Sequence, residues 1–215
     1  MAHFRQLYDA RSRSYAYLLA DPDRREAVIV DPVAGQATLY LALLNELCSR
    51  LTHVLLTHAH GCAAKGADEL RQAVKVLLVA SRLCGLTHLD SIVDDDSVVA
   101  FGNEVLRCRA TPGHTAGCVS YLWRDRVLTG DALLIGDCGS NTADGGDAGL
   151  LFDSITRKLL TLPDETLIYP AHDCAGRRVS CIGEQREANP ERAGTTRDEF
   201  IAKHSRSDDR HEVYA

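Results

Sequence analysis

The sequence predicts an α/β fold with two packed sheets, on three observations. Short apolar runs alternate with amphipathic helical stretches through about the first ninety residues, the pattern of strands interleaved with covering helices. From Val98 onward the pattern becomes strand-rich with short turns, as in a meander laid on a second sheet. Four strand ends deliver histidine or aspartate, which is how a sheet-based enzyme assembles a metal site.

Taken in order, Ser14 to Leu19 and Ala27 to Val30 read as the strands of a hairpin around the turn-rich Asp21-Pro22-Asp23. After Gly35, leucines at helical spacing mark an amphipathic helix from Gln36 to Ser49. The apolar run Leu51 to Leu56 is a buried strand, and a helix over Lys65 to Ala73 carries the chain away. A strand from Val76 to Ala80 and a short helix or turn from Arg82 to Leu86 follow, and Asp94-Asp95-Asp96 is a solvated turn. The later strands run Val98 to Phe101, Glu104 to Ala110, Cys118 to Trp123 and Arg126 to Thr129. A helix over Phe152 to Leu162, a strand from Thr166 to Tyr169 and one or two helices between Gly183 and Lys203 close a single domain spanning residues 1–205. Residues 206–215 form a polar tail that is expected to fray.

With 215 residues, 45% hydrophobic and 25% charged, the chain suits one domain, or two intimately packed halves, with enough core to fold without staples. A net charge of −6 offers no basic stripe to neutralise phosphates, which argues against nucleic-acid and membrane-surface partners. No apolar run approaches the roughly 20 residues of a membrane span, and the N-terminus lacks a basic-then-apolar leader pattern. The expectation is a soluble, cytoplasmic protein; a homodimer is left open. The eight cysteines, at 48, 62, 84, 108, 118, 138, 174 and 181, lack the density of a disulfide scaffold and are expected to be reduced. Cys62, Cys138 and Cys174 each fall within a few residues of a candidate ligand, so a role in or beside the site stands next to ordinary packing for each.

The chemistry concentrates at strand ends. His58 and His60 follow the Leu51–Leu56 strand, and their spacing points both imidazoles to the same side. His114 sits in the tight turn Thr111-Pro112-Gly113-His114-Thr115, where backbone shape holds a ligand rigidly. Asp131 ends another strand, with Gly130 permitting close approach, and His172 follows Tyr169-Pro170-Ala171. An isolated His-x-His is as easily one core histidine and one exposed one; the set of four segments points to metal.

These motifs, in this order and spacing, resemble the metallo-β-lactamase superfamily, and within it the persulfide dioxygenase branch, relatives of glyoxalase II. The resemblance runs from about Phe4 to Pro190. It is particularly close at Arg25 to Val28 before Asp31-Pro32-Val33, at Thr129 to Ile135, and at Leu167 to Asp173. It implies an αββα sandwich. Superfamily hydrolases bind two metals, and the motif opened by His58 and His60 would continue with aspartate and histidine; here those positions are Cys62 and Ala63. The resemblance therefore implies one Fe(II) per chain held by His58, His114 and Asp131, two imidazoles and a carboxylate of the kind non-haem oxygenases use. His60, His172 and Asp173 would support that set or, in a rival reading, Cys62 would join His172 and Asp131 around a second, zinc-like ion.

The implied substrate pocket departs further. Dioxygenases acting on glutathione persulfide carry an arginine for a glutathione carboxylate where this chain has Ser140, a second arginine near Arg192 that aligns with Glu191, and a tyrosine where Cys174 stands. Cys138, Ser140, Cys174 and Arg192 are thus the pocket candidates, and each lost guanidinium removes a charge-assisted carboxylate contact. If the acidic stretch Asp144 to Gly149 closed over the pocket, rather than forming a surface loop, it would favour a neutral or cationic thiol. The leading reading is an iron dioxygenase converting a low-molecular-weight persulfide and dioxygen to sulfite and thiol. The alternatives are a glyoxalase II-like thioester hydrolase using Zn(II) at His58, His60 and His114, and a non-catalytic metal- or sulfur-binding protein.

Overall fold

The computed structural model describes residues 2–59, 61–141, 145–172, 174, 176–189 and 194–204. One sheet orders β1 (His3–Asp9), β2 (Ser14–Asp21), β3 (Glu26–Val30), β4 (Arg50–Leu55), β5 (Leu77–Ser81) and β6 (Ser91–Val93); its first two pairings are antiparallel and the rest parallel. The other orders β12 (Ser180–Cys181), β11 (Leu167–Pro170), β10 (Arg126–Gly130), β9 (Val119–Trp123), β8 (Glu104–Ala110) and β7 (Val98–Phe101), antiparallel except for β10 with β11. The helices are α1 (Ala37–Glu46), α2 (Gly61–Ala73), α3 (Ala148–Ser154), α4 (Ile182–Ala188) and α5 (Arg197–His204).

Alternation along β2 explains the layering. Tyr15, Tyr17 and Leu19 point into the cluster between the sheets, with Phe101, Tyr121 and Trp123 from the other sheet. Ala16, Leu18 and Ala20 point the other way, against Tyr40 and Leu44 of α1 and Ala67 and Leu70 of α2. A third cluster packs Val127 and Ile168 beneath α3, α4 and α5 through Leu151, Ile182 and Phe200. Three apolar layers between four structural layers make the αββα sandwich.

Three features depart from the sequence expectations. β1 is a strand although its sequence carries no strong alternation; its half-exposed residues are ordered by pairing with β2 from His3 opposite Ala20 to Asp9 opposite Ser14. β6 and β12 are likewise short strands set by their neighbours. α2 begins at Gly61 rather than Lys65, which puts Cys62 and Ala63 in its first turn. The expected Phe152–Leu162 helix begins earlier, at α3, and continues as a π-helical turn over Ile155–Leu159.

The sheets are stitched together at one end. Val119 N–H donates to Thr57 O at 2.8 Å, Tyr121 Oη–H donates to Leu56 O at 3.1 Å, and Tyr15 N–H donates to Ala171 O at 2.7 Å. Tyr17 Oη–H donates to Pro170 O. The chain leaves β4 and β11 at this end, so whatever follows these strands is held against the opposite sheet.

Candidate metal centre

Each ligand candidate follows a strand into this stitched end. His58 comes three residues after β4, His114 four after β8, Asp131 directly after β10 and His172 two after β11. His58, His114 and Asp131 are only 3%, 8% and 6% exposed, a depth at which unpartnered polar groups are costly. Backbone detail fixes the loops. Gly113, at φ +136, packs so closely on α3 that a Cβ would lie 2.2 Å from Leu151 N. Gly130, at φ +58, would press a Cβ to 2.6 Å from Thr57 Oγ1. Ser154 Oγ–H donates to Pro112 O at 2.6 Å, and Asp147 N–H to Gly113 O at 2.8 Å, which ties the His114 turn to α3.

The three side chains converge. His58 Nε2 lies 3.5 Å and His114 Nε2 3.6 Å from Asp131 Oδ2, and one donor atom from each residue lies within 4.8 Å of the others. Both distances are too long for hydrogen bonds. They suit atoms sharing one ion, since ligands about 2.1 Å from a common metal sit roughly 3 to 3.5 Å apart. The imidazole planes stand at 85° with centroids 5.2 Å apart, so the two rings do not stack. Two neutral nitrogens and one carboxylate oxygen suit Fe(II) or Zn(II).

The outer atoms of the set are held. His58 Nδ1 lies 2.9 Å from Thr57 Oγ1, which lies 2.7 Å from Asp31 Oδ2; Thr57 N–H donates to Asp31 Oδ1 at 2.8 Å. With the threonine hydroxyl donating to the aspartate, His58 Nδ1–H donates to the hydroxyl and leaves Nε2 bare toward the centre. His114 Nδ1–H donates to Ser140 O, which fixes the same tautomer. His172 Nδ1 lies 2.7 and 2.8 Å from the two Asp131 oxygens.

Electrostatics separate the two buried carboxyls. Burial opposes ionisation of Asp131, but His172, then His58 and His114, outweigh it and hold its carboxyl well below the usual range. For Asp31 burial wins over the Thr57 hydrogen bonds, and its carboxyl is pushed up to about 7. Burial also opposes protonation of His172, yet Asp131 beside it raises its affinity for a proton.

Among the described residues, His58, His114 and Asp131 form the one group of three or more potential ligands. Cys62 does not join His172 and Asp131 in such a group; it is half-buried and packs against the cluster under α1 and α2, where Ala63 is also buried. Cys138 turns into the cluster with Leu151 and Phe200, its Sγ 3.5 Å from His204 Nε2. Ser140 contributes its carbonyl to His114. Cys174 is half-buried. His60, Asp173 and Arg192 lie outside the described residues.

Sequence reading missed the Thr57–Asp31 support, although Thr57 directly precedes His58. It also missed Arg11 and Arg13. Both sit on the β1–β2 turn and line a cavity of about 130 Å³ that reaches His58 and His172.

Residues 10–172 match the family model described as metallo-beta-lactamase superfamily. The human protein named persulfide dioxygenase ETHE1, mitochondrial, is 40% identical over 200 residues, 92% of this chain and 78% of the human one. A crystal structure of ETHE1 from Myxococcus xanthus superposes with a TM-score of 0.93 at 42% identity, covering 97% of this chain and 92% of that chain. The chain belongs to the persulfide dioxygenase branch of the metallo-beta-lactamase superfamily. A hydroxyacylglutathione hydrolase from Polaromonas sp. is more distant, 33% identical over 167 residues, 75% of this chain and 62% of that one. At the two positions where the sequence resemblance implies further hydrolase ligands stand Cys62 and Ala63. Alanine has no donor atom, and in this structure it serves the packing under α2.

Proposed function

We propose that this protein is a mononuclear non-haem iron dioxygenase that oxidises a low-molecular-weight persulfide. The balanced reaction takes one persulfide, one dioxygen and one water to one thiol and one sulfite, releasing two protons. The observation that carries the proposal is the donor set, two buried imidazole nitrogens and one carboxylate oxygen; at the positions where the sequence resemblance implies ligands for a second ion stand an alanine and a half-buried cysteine. When bound, Fe(II) would supply the electron-transfer chemistry that dioxygen requires to react with sulfur.

The chain's own residues do the rest. Thr57 and Ser140 O keep the His58 and His114 rings in one tautomer and orientation. His172 steadies the Asp131 carboxylate through its Nδ1–H. The stitched sheet ends bury the three side chains, and the cavity at His58 and His172 gives a small substrate its approach. A cytoplasmic setting is part of the same proposal: none of the eight cysteines, all among the described residues, forms a disulfide, as a reducing compartment would require. No helix among the described residues is long and apolar enough to cross a membrane.

Product analysis tests the activity. Protein loaded anaerobically with Fe(II) and mixed with a persulfide in aerated buffer should release sulfite and thiol in equal amounts. Absence of sulfite with every one of several persulfides overturns the proposal.

A further inference from the structure

The cavity beside the metal centre carries an inference about substrate class that rests on the persulfide reading above. Its wall joins His58 and His172 at the centre to Arg11 and Arg13 on the β1–β2 turn. A second hollow shares Arg11, Ser12, Val33 and Cys62 with it and runs on to Gly35 and Gln36, so the two form a trough leading away from the metal centre with Arg11 common to both parts.

The trough carries charge of both signs, with Arg11 and Arg13 alongside Asp31 in the inner part and Asp9 in the outer. Among the described residues, the inner cavity has Arg11 and Arg13, and Asp31 as its one acid. That acid is buried and occupied by the Thr57 N–H and hydroxyl. In the outer hollow Asp9 is occupied by Ser12 N–H and Oγ–H, each at 2.8 Å, and by Gln36 Nε2 at 3.1 Å. Glu69, close by, directs both oxygens at Gly35 N–H, 3.0 and 2.8 Å away. The nearby carboxylates are thus engaged with other donors, and the Arg11 guanidinium makes no ion pair with any described residue. Asp147, which a closing acidic loop would have aimed at the substrate, instead caps α3 by accepting from Leu150 N–H at 2.7 Å.

We propose that Arg11 binds a carboxylate on the thiol half of the persulfide, which places the sulfur end toward His58. The β1–β2 turn then supplies the guanidinium that this chain lacks at Ser140. A guanidinium can meet a carboxylate through two parallel N–H bonds, a geometry that lysine reproduces only in charge.

The experiment compares the persulfide of a carboxylate-bearing thiol with the persulfide of its neutral ester, using iron-loaded wild type, Arg11→Ala, Arg11→Lys and Arg11→Glu. Wild type should prefer the carboxylate. Arg11→Ala should shrink that preference roughly tenfold, mainly through KM, with Arg11→Lys intermediate and Arg11→Glu lowest. A second readout is independent of turnover: calorimetric binding of the unreactive S-methyl thioether of each thiol should follow the same order. Equal use and equal binding of acid and ester by wild type overturn the inference, as does an Arg11→Ala loss that is the same for both. If no persulfide is oxidised but the thioether acid still binds through Arg11, the anion site stands and the dioxygenase reading falls.

Discussion

His58 and His114 each have a neighbour that fixes the nitrogen facing away from the centre, Thr57 and Ser140 O, and His172 holds the Asp131 carboxylate through both oxygens. Cys62 and Ala63, in the first turn of α2, instead pack against the cluster beneath α1 and α2 and line the cavity. The three converging side chains are thus under tight polar control, while the residues at the start of α2 serve apolar packing and the cavity wall. Hydrogen-bonded support costs backbone and side-chain freedom, and it persists where a ligand must present one lone pair in one direction. That contrast supports the proposed chemistry at a single ion.

The comparison is broken most severely by removing a ligand. Asp131→Ala should reduce bound iron to a small fraction of one per chain and lower sulfite formation by more than about a hundredfold, beyond the range expected for a supporting residue. Circular dichroism would confirm that the variant folds. A smaller effect is expected from Thr57→Val, which keeps the shape but removes the hydroxyl between Asp31 and His58. Iron affinity should fall about 10- to 100-fold, and stability by about 1 to 3 kcal/mol, read by metal titration and denaturant unfolding.

A pH series sharpens the contrast between the two buried carboxyls. The Asp31 carboxyl is raised to about 7 from its ordinary 3.8, so the native metal-free protein holds that proton more tightly than the unfolded chain. Its contribution is present below about pH 4 and is lost as pH rises through about 7. Asp131 is lowered, so its contribution has the opposite sign: present above about pH 4 and lost as pH falls below it. The stability difference between wild type and Asp31→Asn should therefore move against wild type from pH 4 to 7; a flat difference would remove the assignment. The smallest effect belongs to Cys62→Ala, which should leave iron content and turnover within about twofold. A loss of metal there would restore the rival reading in which the thiol ligates a second ion.

The three converging side chains were legible in the sequence because strand ends carry local signals: an apolar run followed by histidine, a Pro-Gly turn, a glycine before aspartate. The parts that were not legible depend on distant pairing. Asp31 reaches Thr57 because β3 and β4 lie side by side, and nothing within either segment announces the contact. Arg11 reaches the cavity because β1 pairs with β2, a strand the sequence pattern did not mark. Cys138 lies seven residues after Asp131, yet its side chain turns into the helical layer, a direction set by packing rather than spacing. Ser140 acts through its carbonyl, so its side-chain identity was uninformative about that role.

The most direct test of a one-iron oxygenase is oxygen uptake with a persulfide substrate as Fe(II) is titrated anaerobically into metal-free protein before exposure to air. The rate should rise in proportion to iron and level off at one equivalent per chain. No uptake at any loading, or uptake that continues to rise to two equivalents, would contradict the account.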